Sequence, residues 1–455
     1  MGFAALCIAL LLAPGLFGSV RTAQVIIVGI VLAVGLLVTP VSRDRRALPA
    51  SAWLVIMAFA AVAGLGLAQI SLTIPPDASF PALFGGAEQR LANTQWPTSV
   101  NPGRTGEALG VILVNLLAFL LGLRFGSSDE RVARVVFACA ATIMALALLT
   151  MVLMAADPSR LLWISKSAYR DSLTGPFVNR NTAATYFGTG LLSVMMLAHA
   201  QITRLLQGRS TSPGVRAGSR ERLTLLMALA ALAMLALAVV LTRSRAGLFL
   251  TISIAGAFAC ATFFRLHIKA ALRAHPWRAA IILAVTVIVI CAMLVVVIDQ
   301  VGERGASDGG RLEVYAATFR LALQYPWWGI GLGGFADIFP LIRPGNLASQ
   351  GVWDRAHNTV LELALEVGLP VTALTVLSWL AAAATLARNA WRRRSARRIP
   401  LLGLAVGLLA SLHSLLDFSL QIPGYSVVFF ILLGACLAAA GSTAGQAISA
   451  NATRE

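Results

Sequence analysis

Arg243 and Arg245 stand two residues apart in Thr242-Arg243-Ser244-Arg245-Ala246-Gly247, the whole connection between two apolar stretches. A guanidinium offers a planar fork of N–H donors that matches a phosphate in bidentate fashion. The alternative for two such arginines is snorkelling to lipid headgroups. Arg311 follows Gly310 at the start of a helical pattern that also carries Tyr315 and Arg320. From there it could reach the same anion, although taken alone it reads as a surface charge. Arg180 lies between Asn179 and Asn181, after the turn Gly175-Pro176 and before a helix that either asparagine can cap. An arginine beside two amides at a helix N-terminus also suits an anion. His357, in Asp354-Arg355-Ala356-His357-Asn358, is a candidate acid–base residue with Asn358 beside it.

Two further groups read differently. His413 and Asp417 are spaced i, i+4 and share a helix face. Two ligands are too few for a metal site, so the pair is expected to form a polar contact inside a helix bundle. Gly329, Gly331 and Gly334 satisfy G-x-G-x-x-G, but no strand precedes them and no βαβ unit surrounds them, so a dinucleotide site is excluded. A flexible turn, or close approach of backbone to a ligand, fits better.

The elements that must hold these residues are membrane helices. The chain has 455 residues, 58% hydrophobic and only 12% charged, where soluble domains carry about 25% charge. A spanning helix needs about 20 mainly apolar residues. Candidates fall at 3–19, 22–39, 51–70, 106–123, 133–155, 182–203, 223–241, 246–264, 279–298, 369–388, 400–417 and 425–441. The expected fold is an all-α polytopic membrane protein with about 12 spans, a single transmembrane domain over 1–455 with no internal repeat. No strand pattern is evident. The five cysteines lie inside apolar runs and lack the paired spacing of a metal site or a disulfide framework. Residues 1–20 lack a basic n-region and a cleavage site, and read as the first span.

The net charge of +17 does not point to nucleic acid, because the basic residues are spread over many loops. They set orientation instead. Arg43, Arg45 and Arg46 share one loop; alternate loops hold Arg124 to Arg134, Arg204 to Arg222, Arg265 to Arg278, and Arg388 to Arg398. That side, with both termini, is expected to be cytoplasmic; Arg21 is a minor violation. The opposite, extracytoplasmic side holds the long loops 71–105, 156–181 and 299–368, most of the acidic residues, and every candidate group above. Polar groups gathered at a membrane face are costly and are kept for function. The loop 299–368 is too long to lack structure. Within it, Leu312, Tyr315, Ala316, Phe319 and Leu323 predict an amphipathic helix over 310–324 lying on the membrane surface. A second short helix over 356–368 should feed the tenth span.

The order Gly175-Pro176-Phe177…Asn181, Ser244-Arg245-Ala246, Arg311, Pro326-Trp327-Trp328-Gly329-Ile330-Gly331 and His357-Asn358, followed by Asp417 before a proline-containing turn, resembles the O-antigen ligase and polymerase superfamily over roughly residues 170–425. The resemblance implies a GT-C-like membrane fold and a metal-independent glycosyltransferase without a cofactor. Its members move a glycan from an undecaprenyl-diphosphate carrier at the outer face of the bacterial inner membrane. The acceptor is lipid A–core for ligases, the growing glycan for polymerases, and a protein serine in one branch. On that pattern His357, Arg245 and Arg311 are the expected catalytic residues, and Arg243, Arg180, Asn181, Tyr315 and Asn358 the expected substrate-binding ones. Ala246 stands where glycine is frequent in the family, and Arg243 is an extra charge that leaves open which arginine meets the phosphate. No large soluble domain follows the last span, which speaks against the protein-glycosylating branch.

The leading expectation is therefore a ligase, with a polymerase as the near alternative. A transporter or flippase of lipid-linked sugar would suit twelve spans, but such proteins show inverted repeats and sites near the midplane. An intramembrane protease would need a Ser–His pair, and Ser414 and His413 are adjacent, so on a helix they point about 100° apart.

Overall fold

A computed structural model describes residues 1–40, 47–74, 96–166, 168–206, 219–262, 309–345, 353–393 and 397–452. Its helices are α1 (Gly2–Gly15), α2 (Thr22–Val38), α3 (Ala50–Ser71), α4 (Pro102–Phe125), α5 (Asp129–Ala156), α6 (Arg180–Leu206), α7 (Ser219–Leu241), α8 (Arg245–Ala259), α9 (Gly309–Gln324), α10 (Phe335–Ile342), α11 (Thr359–Arg392), α12 (Arg398–Ser414) and α13 (Pro423–Ala452). Contrary to the strand-free expectation, two short antiparallel pairs occur: β1 (Thr73–Ile74) with β2 (Trp96–Pro97), and β3 (Arg160–Leu161) with β4 (Ile164–Ser165). Each is only two residues long, too short to leave a readable alternation.

Among the described residues, seven helices are long and apolar enough to cross a membrane. Three shorter apolar helices, α1, α2 and α12, accompany them. The protein is an all-α polytopic membrane protein. The expected span 279–298 lies outside the described residues. The expected span 182–203 forms as α6 but is not among those seven or three. Its first turns carry Asn181, Thr182, Thr185, Thr189 and Ser193, all buried, so burial against protein rather than lipid explains its polarity.

Polar caps fix several helix starts. Asn101 Oδ1 accepts from Arg104 N at 3.2 Å ahead of α4, with Pro102 in the first turn. Ser128 Oγ accepts from Arg131 N at 3.3 Å ahead of α5. Such caps contribute about 1 kcal/mol each. The main core runs through α13, whose residues 423–440 are all buried. It lies against α4 at Gly122 and Gly434, where a Cβ would collide with the carbonyls of Ile431 and Phe119. Small residues at such a crossing let two backbones approach closely.

A second, smaller core joins α9, the glycine-rich turn, α10 and the start of α11 through Val314, Leu321, Ile330, Phe335, Phe339 and Leu365. The helix expected over 310–324 is present as α9. Val314, Ala317, Thr318 and Leu321 face the protein, whereas the predicted stripe residues Leu312, Phe319 and Leu323 are exposed. The helix thus has two apolar faces, one packed on protein and one, the expected stripe, left exposed. The short helix expected over 356–368 begins at Thr359 and ends at a kink at Gly368 (φ +75°). Leu369 N donates to Pro326 O at 2.7 Å there, docking the cap onto the top of the following span.

Candidate functional site

The site is organised by Asp417, in the turn between α12 and α13, with 1% of its side chain exposed. A bare carboxylate in such a place is costly, and this one is surrounded by donors. Asn179 Nδ2 donates to Oδ1 at 2.9 Å, Asn181 Nδ2 donates to Oδ2 in a short contact, and Phe418 N donates to Oδ1 at 2.7 Å. Both asparagines come from the entry to α6. Asn179 Oδ1 also accepts from Asn181 N at 2.7 Å, so Asn179 is the residue that caps this helix. Asn181 Oδ1 accepts from Ser244 Oγ at 2.7 Å, and the same hydroxyl accepts from Gly247 N at 3.2 Å to cap α8. Arg245 is the first residue of α8 and is half-buried. One chain of hydrogen bonds therefore fixes Arg245's backbone relative to Asp417.

Arg311 and His357 approach the same carboxylate from the cap. Arg311 Nη1 donates to Leu416 O at 2.9 Å, and Nη2 lies 3.9 Å from Asp417 Oδ2. His357 Nδ1 lies 3.7 Å from that oxygen. The imidazole sits edge-on to Trp353 and Phe418, with centroids 5.4 and 4.9 Å away. Burial alone would raise the pKa of Asp417, but His357 beside it, then His413 and Arg311, outweigh this and hold the carboxyl well below its ordinary range. The site thus keeps an ionised acid between an arginine and an imidazole.

The backbone of His357 has φ +55°, a left-handed conformation uncommon outside glycine. Such a residue costs about 1–3 kcal/mol and persists only where its surroundings hold it. Tyr315 OH donates to His357 O at 2.8 Å. Ala356 N donates to Glu362 Oε2 at 2.6 Å, and Glu362 Oε1 pairs with Arg355 at 3.1 Å. On the other side, Asn358 Oδ1 accepts from Leu361 N at 3.0 Å and caps α11.

The structure brings together Arg311, His357, Asn181 and, through Ser244, the start of α8. Tyr315 and Asn358 fasten the histidine's backbone. Arg243 turns elsewhere: its Nη1 is 2.6 Å from Asp171 Oδ2, both side chains about half exposed, with φ +54° at Arg243. Arg180 lays its guanidinium 4.9 Å from the centre of the Tyr169 ring. Of the expected pair, Asp417 N donates to His413 O at 2.9 Å, while the two side chains take other hydrogen-bond partners. His413 Nδ1 meets Ser419 Oγ at 3.0 Å, while Asp417 takes the asparagines.

The glycine turn packs closely against neighbouring backbone. Gly331 has φ +108°, and a Cβ there would lie 2.8 Å from Ser99 Cα; its N–H donates to Glu366 O at 3.2 Å. Gln69 ties the same turn to α3, donating to Trp328 O and Glu366 O and accepting from Leu332 N. Ser244, Glu362 and Gln69 escaped the sequence reading as positioning residues, as did the bond from Asn179 to Asp417. Glu362 and Glu366 were the visible signal, two carboxylates at i, i+4 in an otherwise apolar helix start. Among the described residues, no three of His, Cys, Asp and Glu gather as a metal-ligand group.

Residues 229–376 match the family model described as O-antigen ligase. That segment contains Arg243, Arg245, Arg311, Tyr315, His357 and Asn358, and lies between Asn181 and Asp417. No curated protein matches the chain.

Proposed function

We propose, from the premise that the chain belongs through residues 229–376 to the O-antigen ligase superfamily, that it is a glycosyltransferase using an undecaprenyl-diphosphate-linked glycan, with lipid A–core as acceptor. The observation that carries this reading is the meeting of Arg311 and His357 at the buried Asp417 carboxylate, 3.9 and 3.7 Å away.

The acceptor hydroxyl attacks the anomeric carbon, the C–O bond to the diphosphate breaks, and undecaprenyl diphosphate leaves. Negative charge develops on the departing phosphate oxygen. Arg311 and Arg245 stabilise it, which is the work a metal performs in other enzymes. Arg243 and Arg180 act further out on the diphosphate or glycan, since each has a partner to exchange in segment 168–171. His357 takes the acceptor's proton. With Nδ1 towards Asp417, Nε2 is the nitrogen presented for that transfer, and the carboxylate stabilises the imidazolium that forms. The basic loops support placing this end of the bundle at the periplasmic face of the inner membrane, with both termini cytoplasmic and 299–368 as an outer cap.

The products in a deletion strain test the assignment. Loss of a ligase leaves lipid A–core bare while glycan polymer accumulates on its carrier. Single repeat units attached to core would identify a polymerase instead, and unchanged glycans would refute both.

A further inference from the structure

Segment 168–172 lies against the turn that carries Arg243. Its base is pinned. Ser172 is fully buried, and its carbonyl accepts from the Nζ of Lys166, also buried, at 2.9 Å. The next residue, Leu173, donates its N–H to Leu241 O at 2.8 Å. Towards solvent the segment meets two cations instead. Asp171 Oδ1 accepts from Ser172 Oγ at 3.1 Å, and Oδ2 lies 2.6 Å from Arg243 Nη1. Two residues earlier, the Tyr169 ring faces the guanidinium of Arg180. Tyr169 and Arg243 both have left-handed backbones, with φ +55° and +54°. Such costly positions in non-glycine residues cluster at switch regions.

Burial would raise the pKa of Asp171, but the Ser172 hydroxyl and Arg243 outweigh it and hold the carboxyl below its ordinary range. Asp171 therefore offers Arg243 what a phosphate offers: a charged oxygen at hydrogen-bond distance. The side chains of this pair are 49% and 54% exposed, and an ion pair so open to solvent is weak. The exchange of Asp171 for another anion is correspondingly easy. Arg243 also adjoins the site. The next residue, Ser244, donates to Asn181 Oδ1, and Asn181 donates to Asp417.

We infer that Asp171 is a built-in competitor, occupying at Arg243 the place of the second phosphate of a lipid diphosphate, and that segment 168–171 is a strap which this ligand displaces. The inference rests on the reading that a lipid diphosphate meets the arginines of this site. A lipid with one phosphate is held by Arg311 and Arg245 and leaves the strap closed. A lipid with two phosphates reaches Arg243 and must first displace the carboxylate. Its apparent affinity is lowered by the fraction of molecules whose strap is open. The return of Asp171 to Arg243 also helps to expel the diphosphate product.

The test uses purified full-length protein in zwitterionic nanodiscs, titrated with undecaprenyl diphosphate and with undecaprenyl monophosphate, with binding read by native mass spectrometry. Asp171→Asn should tighten the diphosphate about two- to fivefold and leave the monophosphate unchanged. The gain should vanish when Arg243→Ala is added, closing a double-mutant cycle. Amide hydrogen exchange over 168–172 in the wild-type protein should rise when the diphosphate binds. Weaker or unchanged diphosphate binding in Asp171→Asn overturns the inference. Equal tightening of both lipids, a gain that survives Arg243→Ala, or slower exchange over the strap also overturns it. The two readings fail separately. These responses without any glycan transfer remove the transferase; transfer without these responses removes the strap.

Discussion

Asp417→Asn changes one oxygen for an amide and keeps the shape, so it isolates charge. Asn181 Nδ2 now faces either a neutral oxygen or another N–H, and the counter-charge to Arg311 and His357 is gone. An imidazolium 3.7 Å from a carboxylate gains roughly 4 kcal/mol at an effective dielectric of about 20. The carboxylate also serves Arg311 and two asparagine amides, so about half of that, roughly 2–3 kcal/mol, is assigned to the imidazolium formed during proton transfer. This corresponds to about a 30- to 150-fold fall in kcat. Arg311 remains held by Leu416 O, so KM for the donor should change little. The assay is release of undecaprenyl diphosphate by purified variants in nanodiscs, with helical content checked by circular dichroism. A kcat within threefold of wild type in a folded Asp417→Asn protein would refute the role given to the carboxylate.

Arg245→Ala should lower kcat/KM about 10²- to 10³-fold, as expected for removing one donor from a developing charge. Arg243→Ala should act mainly on donor KM and by only several-fold, because its pair with Asp171 is half exposed; steady-state kinetics with both variants separate these outcomes. Since the native Asp417 pKa lies below its unfolded value of about 3.9, its contribution to stability is complete above that pH and is lost as pH falls towards the native value. Thermal midpoints of wild type should therefore drop more steeply than those of Asp417→Asn from about pH 4 downward. Gly331→Ala places a methyl 2.8 Å from Ser99 Cα at φ +108° and should destabilise the cap by about 2–4 kcal/mol, read as a lowered thermal midpoint.

Composition and hydropathy made the helical membrane architecture legible, because spanning lengths and basic loops are local properties. Arg311 and His357 stood out as candidates for a similar reason: each is an unusual type next to an apolar stretch. Asp417 was visible, but most of its side-chain partners were not. The i, i+4 rule pointed to His413, whose carbonyl accepts from Asp417 N, whereas the carboxylate's bonds to Asn179 and Asn181 join residues 238 and 236 positions apart and leave no local pattern. The inner face of α9 went unread for a related reason. The helix has apolar residues on two faces, and periodicity cannot say which one meets protein. Glu362 and Gln69 act through backbone groups distant in sequence, a kind of contact that leaves no local pattern.

The central claim is that arginines from α8 and α9 and the histidine before α11 act together on a diphosphate-linked glycan. Purified protein supplied with an undecaprenyl-diphosphate-linked glycan and a lipid A–core acceptor tests it most directly, by mass spectrometry of both lipids. The account predicts glycosylated acceptor and free undecaprenyl diphosphate in equal amounts, both abolished in Arg311→Ala and His357→Ala. Intact donor moved across the bilayer with no glycosidic bond broken, or full product from both variants, would contradict it.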